Sequence, residues 1–328
     1  MNTNGGFMTP TSRILLPLCA IALPLSACGS ESDHVVFEMQ AQSFAASEWS
    51  EPVNLGMTIN TTFNEQSPSL SPDGLSLYFG SNRPREGGST DTDLWVSHRS
   101  CGDCPWGTPV NLGPVVNSSV GDNGPSLSLD GHLLFFTSAR TGVGLNDIYV
   151  SHRANPKDDF GWGPPVLLGD GVNTTAFEAG AEYVQSAEDG KANFYFNRGP
   201  SQAAQDIYVA SITRDGETRG SAVIVSELFD AAANDAAASV RTDGREVFFG
   251  SSRIHGVGNL DLWFSTRRSV HDAWSPPENL TPLNSGANDQ QPSLSSDGRT
   301  LLFASDRSGL GTFGGTDIWM STRTPSGH

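Results

Sequence analysis

Long apolar runs, basic residues and cysteines are all scarce in this chain of 328 residues. The longest apolar run, residues 14–25, is interrupted by Pro17, Cys19 and Pro24, and a membrane-spanning helix needs roughly 20 apolar residues. Lysine and arginine together number 19 against 36 aspartates and glutamates, so the formal net charge is −17. Nucleic-acid binding depends on clustered basic residues. The composition therefore argues against a nucleic-acid partner and favours solubility, cations or basic partners.

The N-terminus has the pattern of an export signal. Arg13 precedes the apolar run and small residues lie directly before Cys28, as in a cleavable signal peptide. Residues 25–28, LSAC, resemble the bacterial lipobox, which implies that residues 1–27 are removed and that Cys28 is lipidated. A simple secretory signal is the alternative. Gly29 and Ser30 follow where inner-membrane retention would require Asp. We therefore expect residues 28–48 to tether an extracytoplasmic protein to the outer membrane, facing the periplasm or the cell surface.

The remaining cysteines, Cys101 and Cys104, lie three residues apart. In an oxidising compartment such a pair is expected to form a local disulfide. A redox centre would need a helix after the first cysteine, whereas Gly102, Asp103 and Pro105 favour a turn. Zinc would need more ligands than these two thiolates. We expect a structural disulfide and no metal centre.

One pattern recurs five times, with a spacing of 54 to 59 residues. Each copy begins with two runs rich in Leu, Val, Tyr and Phe that an Asp-Gly turn joins, which is typical of a hairpin. These hairpins are predicted at residues 68–83, 125–140, 181–198, 238–253 and 292–307. A third strand starts at an aspartate in each copy, namely Asp93, Asp147, Asp206, Asp261 and Asp317. A fourth comes from segments that mostly contain proline, as suits an edge strand: residues 49–56, 106–113, 162–169, 274–281 and the weaker 221–228.

Four strands per repeat form one blade of a β-propeller. The sequence thus predicts an all-β, five-bladed β-propeller over residues 49–323, with four antiparallel strands per blade and a short tail at 324–328. The chain begins with an outer strand and ends after a third strand. Residues 51–56 should therefore pair with residues 317–323 and complete the last blade, which leaves no unprotected sheet edge. We expect a monomer.

The repeats resemble the TolB-type propeller repeat, whose Ser-Pro-Asp-Gly turn is complete at residues 71–74. The resemblance covers residues 49–323. Members of that family are periplasmic or associated with the outer membrane and are often interaction platforms. The resemblance therefore implies a membrane-anchored platform that engages a protein or an envelope glycan.

Two series of charged residues recur with the blades. The acids, expected near one mouth of the central channel, are Glu65, Asp122, Glu178, Asp235 and Asp289; the arginines are Arg83, Arg140, Arg198, Arg253 and Arg307. One interpretation is a carboxylate funnel for a divalent cation or a polyhydroxylated ligand. The other is that each arginine bridges neighbouring carboxylates, including the third-strand aspartates, and locks blade to blade. We favour the second, because catalytic carboxylates need different environments. No cofactor is expected.

The third repeat departs most from the pattern. Glu182 replaces the serine of the other copies (Ser69, Ser126, Ser239 and Ser293), Phe196 stands where a later serine is expected, and Arg198 arrives one residue early. A ligand site is therefore predicted around Glu178, Glu182 and Asn197, with both glutamates as catalytic candidates. The blade-one loop with Arg83, Glu86 and Asp91 is the second choice. Sequence drift in an irregular blade explains the same features without a ligand.

Three functions stay open at this point. The first is a non-enzymatic binding platform. The second is a glycan-active enzyme, in which two carboxylates roughly 5–9.5 Å apart would act as acid and base. The third is a scaffold without a small-molecule site. An unpaired carboxylate pair in an open cleft, including Glu178 or Glu182, would favour the enzyme, whereas acids that are all bonded to arginines would remove its catalytic pair.

Overall fold

The computed structural model describes residues 48–85, 90–169, 171–185, 191–309 and 311–325. Over these ranges the chain forms twenty β-strands and no helix, so the described part holds no helix that could cross a membrane. The expected signal peptide, the lipidation site at Cys28 and residues 28–47 of the tether lie outside the described residues. So do residues 326–328 of the tail.

The strands form five four-stranded antiparallel sheets, and each sheet is one blade. The chain enters at β1 (Val53–Asn54). Blade one then runs from the inner to the outer strand through β2 (Glu65–Leu70), β3 (Ser76–Ser81), β4 (Asp93–His98) and β5 (Val110–Asn111). Blade two contains β6 (Asp122–Leu127), β7 (Leu133–Ser138), β8 (Asp147–His152) and β9 (Val166–Leu167).

The other three blades repeat this order. Blade three contains β10 (Phe177–Gln185), β11 (Ala192–Ser201), β12 (Ala204–Ile212) and β13 (Thr218–Ile224). Blade four contains β14 (Asp235–Val240), β15 (Glu246–Ser251), β16 (Asp261–Thr266) and β17 (Glu278–Asn279). Blade five contains β18 (Asp289–Leu294), β19 (Thr300–Ser305), β20 (Asp317–Thr322) and, as its outer strand, β1.

The first strand of the chain closes the ring. Val53 pairs with Met320 and Asn54 with Trp319, while Ser50 N–H donates to the carbonyl of Thr322 at 2.8 Å. The inner strand of each blade contacts the inner strands of its two neighbours, including β18 against β2. The prediction of a five-bladed β-propeller that its N-terminal strand completes is confirmed.

The hydrophobic core lies between blades. Five clusters of buried side chains each combine residues of two adjacent blades. In the cluster between blades two and three, for example, Phe135 stacks on Tyr183 with ring centroids 5.7 Å apart. Since burial of an aromatic or aliphatic side chain contributes about 1.5–3 kcal/mol, no blade has its full core without its neighbours.

The antiparallel strands place two kinds of loop on each face of the ring. We call the upper face the one where inner strands begin; it carries the connections between blades and the loops between second and third strands. The lower face carries the Asp-Gly hairpin turns and the loops before the outer strands. The sulfur atoms of Cys101 and Cys104, in a lower-face loop, lie 2.13 Å apart, within disulfide-bonding distance.

A second arginine series joins strands on the lower face, and the sequence reasoning missed it. In four blades an arginine directly after the third strand donates through Nε to the carbonyl of the hairpin-turn glycine at 2.6–2.8 Å. Each guanidinium also lies over a tryptophan ring at 4.0–4.5 Å from its centroid. The pairs are Arg99 with Trp106, Arg153 with Trp162, Arg267 with Trp274 and Arg323 with Trp49. The signal was available, because each arginine follows the third-strand aspartate by six residues.

Blade three is built differently. Its strands span 9, 10, 9 and 7 residues, against 6, 6, 6 and 2 in blade one, and Ile212 occupies the position of the lower-face arginine. The prediction that Phe196 stands at the position of a serine is wrong. Phe196 pairs with Tyr208 just as Phe79 pairs with Trp95 in blade one, so it occupies the position of a phenylalanine. Arg198 instead takes the strand position of Ser81, because it pairs with Glu178.

Replacing Arg323 by Met should destabilise the closed ring. Arg323 donates from Nη1 and Nη2 to the two carboxylate oxygens of Glu246 in blade four at 2.8 and 2.6 Å, and its removal leaves a largely buried carboxylate without that partner. Because Arg241 Nη1 stays 3.6 Å from Glu246 Oε2, the carboxylate keeps one cation, and we expect a loss of about 1–3 kcal/mol. Urea unfolding should show this loss. Arg299→Met removes an exposed arginine and should change the unfolding free energy by less than about 0.5 kcal/mol; equal effects of both variants would contradict the assignment.

Candidate functional site

The five acids predicted at the channel mouth lie at the start of the inner strands and are completely buried. Every one contacts the repeat arginine of its own blade. Arg83 Nη2 lies 3.1 Å from Glu65, Arg140 Nη2 2.7 Å from Asp122, Arg198 Nε 2.9 Å from Glu178 and Arg253 Nη2 2.7 Å from Asp235; Arg307 Nη2 bonds to Asp289. We call these pairs the upper clamps.

Each upper clamp also holds the chain that links two blades. The same guanidinium donates from Nη2 to a carbonyl in the preceding connection at 2.6–2.7 Å, the acceptors being Ile59, Val116, Val172, Leu228 and Leu283. Aromatic rings of the second and third strands flank it, with centroids 4.8–5.2 Å away. The arginine thus joins an acid, a carbonyl and two rings at one point.

The third-strand aspartates have different partners from those we expected. Asp147 accepts from Val143 N–H at 2.8 Å, Asp261 from Gly258 N–H at 2.9 Å and Asp317 from Phe313 N–H at 2.9 Å, all within their own loops. Asp93 bonds to Arg85 at 2.9 Å. In blade three, burial and then the charge of Asp235 raise the pKa of Asp206. We expected each repeat arginine to bridge its acid and the third-strand aspartate. Instead, its second partner is a backbone carbonyl in the connection from the preceding blade.

The clamp of blade three is incomplete. Glu178 Oε1 accepts from Thr174 Oγ1 at 2.5 Å and from Arg198, but its buried Oε2 has no hydrogen-bond partner among the described residues. In blade one both oxygens of Glu65 are bonded, because Thr61 N–H donates to Oε2 at 2.7 Å. Glu178 still contacts an arginine and is completely buried, so it is no free acid in an open cleft.

Every inner strand contains a bulge just below its acid. The pairing register shifts there in all five blades, and the bulged residues have left-handed backbone conformations: Ser67, Gly124, Gly180, Ala237 and Gln291. For the three that are not glycine, with φ of 49–55°, this conformation costs about 1–2 kcal/mol each. Asn197 Oδ1 accepts from the bulged Ala237 N–H at 2.8 Å, so the candidate ligand residue Asn197 links blades three and four.

A cavity of about 50 Å³ lies on the axis below the bulges. Glu182 forms part of its wall and also borders a second cavity of about 60 Å³ towards the lower face. Three of the equivalent serines also line this cavity: Ser69, Ser126 and Ser293. Ser239 of blade four does not line it and instead donates to Glu182 Oε1 at 3.4 Å. Among the described residues, one carboxylate and three of these serine hydroxyls therefore border the cavity on the axis.

Glu182 is held by its two neighbouring blades. Val240 N–H donates to Oε1 at 3.2 Å and Ser126 Oγ to Oε2 at 3.2 Å. Burial raises the pKa of Glu182 to about 7, and these hydrogen bonds oppose the rise. The side chain stays partly accessible to solvent, because it faces the cavities. Glu182 is therefore a carboxylate that changes charge near neutral pH within reach of water.

The structure separates the residues that the sequence grouped as one site. Glu182 lines the axial cavity, whereas Glu178 and Asn197 do not. In the second-choice loop, Arg83 belongs to an upper clamp, Asp91 is exposed and Glu86 lies outside the described residues. Within the described ranges, no group of three or more His, Cys, Asp or Glu side chains could hold a metal ion.

Solved structures of other proteins share this fold. An alpha-L-arabinofuranosidase from Lactobacillus brevis matches with a TM-score of 0.54 and 14% identity over 80% of this chain and 90% of that one. An endo-arabinase from Bacteroides thetaiotaomicron matches with a TM-score of 0.53 and 15% identity, over 85% and 98%. A putative TolB from Agrobacterium tumefaciens matches with a TM-score of 0.46 and 18% identity, over 85% and 99%.

The first two likenesses show the fold alone, and the third is too weak to carry an argument. No protein-family model matches the chain, and no curated protein matches it. The TolB-type repeat therefore stays a prediction.

The raised pKa of Glu182 predicts a pH dependence of stability. Its unfolded pKa is about 4.5 and its folded pKa about 7, so the folded protein binds the proton more tightly. The stabilisation is complete below about pH 4.5 and is lost as the pH rises to 7, by about 3 kcal/mol. Urea unfolding of Glu182→Gln should lack this fall, so its advantage over wild type should grow across that window. The exposed Glu278→Gln should follow wild type; identical profiles for all three would contradict the shift.

Proposed function

We propose that this chain is a non-enzymatic binding propeller whose upper face engages a protein partner. The observation that carries the proposal is a set of exposed apolar side chains on the loops of that face. Those more than 45% exposed are Met57, Val115, Val143, Leu145, Ile254 and Val257. These side chains lie on loops of the same face, and apolar residues concentrated on one face favour an interaction site there.

The position of these residues supports a protein partner. They come from two kinds of upper-face loop, the connections between blades and the loops between second and third strands. The clamps beneath fix those loops at their bases. Rigid loops lose little conformational entropy on binding. Aliphatic side chains can bury apolar area against a protein, whereas a glycan would need polar groups to bond its hydroxyls.

The acids of the site support a role without catalysis. All five ring carboxylates are buried against arginines, so none is placed to donate a proton to a substrate or attack it. Among the described residues, Glu182 is the carboxylate that lines the axial cavities of about 50 and 60 Å³, whereas pockets for small-molecule ligands measure roughly 300–1000 Å³.

The expected location belongs to the same proposal. The lipobox resemblance at Cys28 supports an outer-membrane anchor, and the distance between Cys101 and Cys104 supports a disulfide formed in an oxidising compartment. Both features would place the upper face among extracytoplasmic proteins.

Substituting the upper-face apolar residues should abolish partner capture. We expect the immobilised protein to retain a partner from envelope extract, and Leu145→Asp with Ile254→Asp to lower retention at least about tenfold, since each buried aliphatic side chain contributes about 1.5–3 kcal/mol. Phe160→Asp replaces an exposed apolar residue on the lower face, 54% exposed against 62% for Leu145 and 74% for Ile254, and should leave retention unchanged. Equal retention by all variants would refute the proposed face.

Glycan hydrolysis is the second candidate, and the kinds of protein that share the fold favour it over binding. The arabinofuranosidase and endo-arabinase likenesses suggest an arabinose-containing polysaccharide as substrate. Glu182, with a pKa of about 7, has the character of a general acid. The arrangement of the acids opposes this candidate, because the described residues that line the axial cavity include no second carboxylate at the separation that glycosidases need.

Hydrolysis of arabinan and xylan decides between the candidates. The binding proposal expects no release of reducing sugar above the rate of a Glu182→Gln control. Release by wild type that Glu182→Gln abolishes and Glu278→Gln preserves would establish the enzyme and overturn the non-enzymatic role. Product detection by chromatography would identify the sugar.

A further inference from the structure

The axial cavity has a layered chemistry that the proposed face does not use. Its upper layer is formed by the bulged residues, of which Gly124, Gly180 and Ala237 have little or no side chain. The next layer is an apolar collar of three prolines and two alanines: Pro68, Pro125, Ala181, Ala238 and Pro292. The floor is Glu182 with Ser69, Ser126 and Ser293. The bulged residues are all partly exposed, so the cavity opens towards the upper face.

The floor suits a cation that donates several hydrogen bonds. It offers a carboxylate and hydroxyl oxygens and, among the described residues that line the cavity, no basic side chain. A primary ammonium has three N–H donors and no acceptor, which matches a carboxylate surrounded by hydroxyls. A guanidinium is broad and planar and suits a bidentate carboxylate better than a ring of single hydroxyls.

The collar distinguishes between a bare ion and an ammonium on a carbon chain. A bare ion gains nothing from five proline and alanine side chains above its site. The methylene stem of a lysine lies along apolar surface while its ammonium reaches a polar environment. The chain's formal charge of −17 also attracts a basic partner.

We propose that the axial cavity is a socket for a lysine side chain of the partner protein, with Glu182 pairing with its ammonium and the proline-alanine collar enclosing its stem. The assignment of the ligand as a lysine of the partner rests on the proposed function, since it assumes that a protein binds the upper face. The existence of the socket does not rest on that function, because binding of a free alkylammonium tests it.

Pentylammonium, which has the unbranched stem of lysine, is the probe. At pH 8, titration followed by saturation-transfer NMR should show binding to the full chain, at least tenfold weaker binding to Glu182→Gln, and unchanged binding to Glu278→Gln. Pentanol, with the same stem and no charge, should bind wild type at least tenfold more weakly. Thermal unfolding checks that Glu182→Gln is folded. Equal binding of pentylammonium by wild type and Glu182→Gln would overturn the socket.

Sodium chloride separates the socket from an inorganic cation site. We expect sodium ions to displace pentylammonium no better than tetramethylammonium ions of the same concentration. Selective displacement by sodium, with no dependence of affinity on the alkyl stem, would overturn the lysine assignment. If the upper-face variants lose partner retention but the wild type does not bind pentylammonium, the socket is refuted and the binding role stands. Pentylammonium binding without any retained partner would refute the binding role alone.

Discussion

The repeat arginine of each blade holds the ring together. It meets a completely buried acid at the start of the inner strand, a carbonyl of the connection from the preceding blade, and two aromatic rings. A buried acid such as Asp235, whose pKa burial raises, would be costly without this cation. Without the arginine, a backbone carbonyl in the connection between two blades would lack its hydrogen-bond donor. One side chain therefore makes the packing of adjacent blades and the neutralisation of the acids interdependent.

Repetition explains why all five acids are buried against arginines, and its interruption explains why blade three differs from the others. Three blades place a serine on the wall of the axial cavity, and blade three places Glu182 there. The same blade lacks the lower-face arginine and has a longer outer strand. Its Arg198 reaches Glu178 from a strand position that a serine holds in blade one, which preserves the upper clamp in an altered sheet. The asymmetry of the propeller is thus concentrated in one blade and on the axis beside it.

The sequence was sufficient for the fold because turns and strand patterns are local. Asp-Gly pairs, the third-strand aspartates and the incomplete last repeat together specified five blades and their closure. The partners of the arginines were less accessible, since a backbone carbonyl leaves no mark in the sequence. Glu178 and Glu182 lie four residues apart, which suggested one site; the bulge between them places one in a clamp and the other on the axis. The lower-face arginines had a detectable spacing and could have been found.

Closure by β1 has a consequence for synthesis of the chain. The strand that completes blade five is made before the other strands and its partner β20 after them. This most sequence-distant strand pairing joins Val53 and Asn54 to β20, and hydrogen bonds of Ser50, Leu55 and Asn60 to the same strand support it. Until β20 has been made, Ile318 is missing from the apolar cluster between blades five and one, and that surface stays partly open. Closure of the ring by β1 therefore waits for the third strand of blade five.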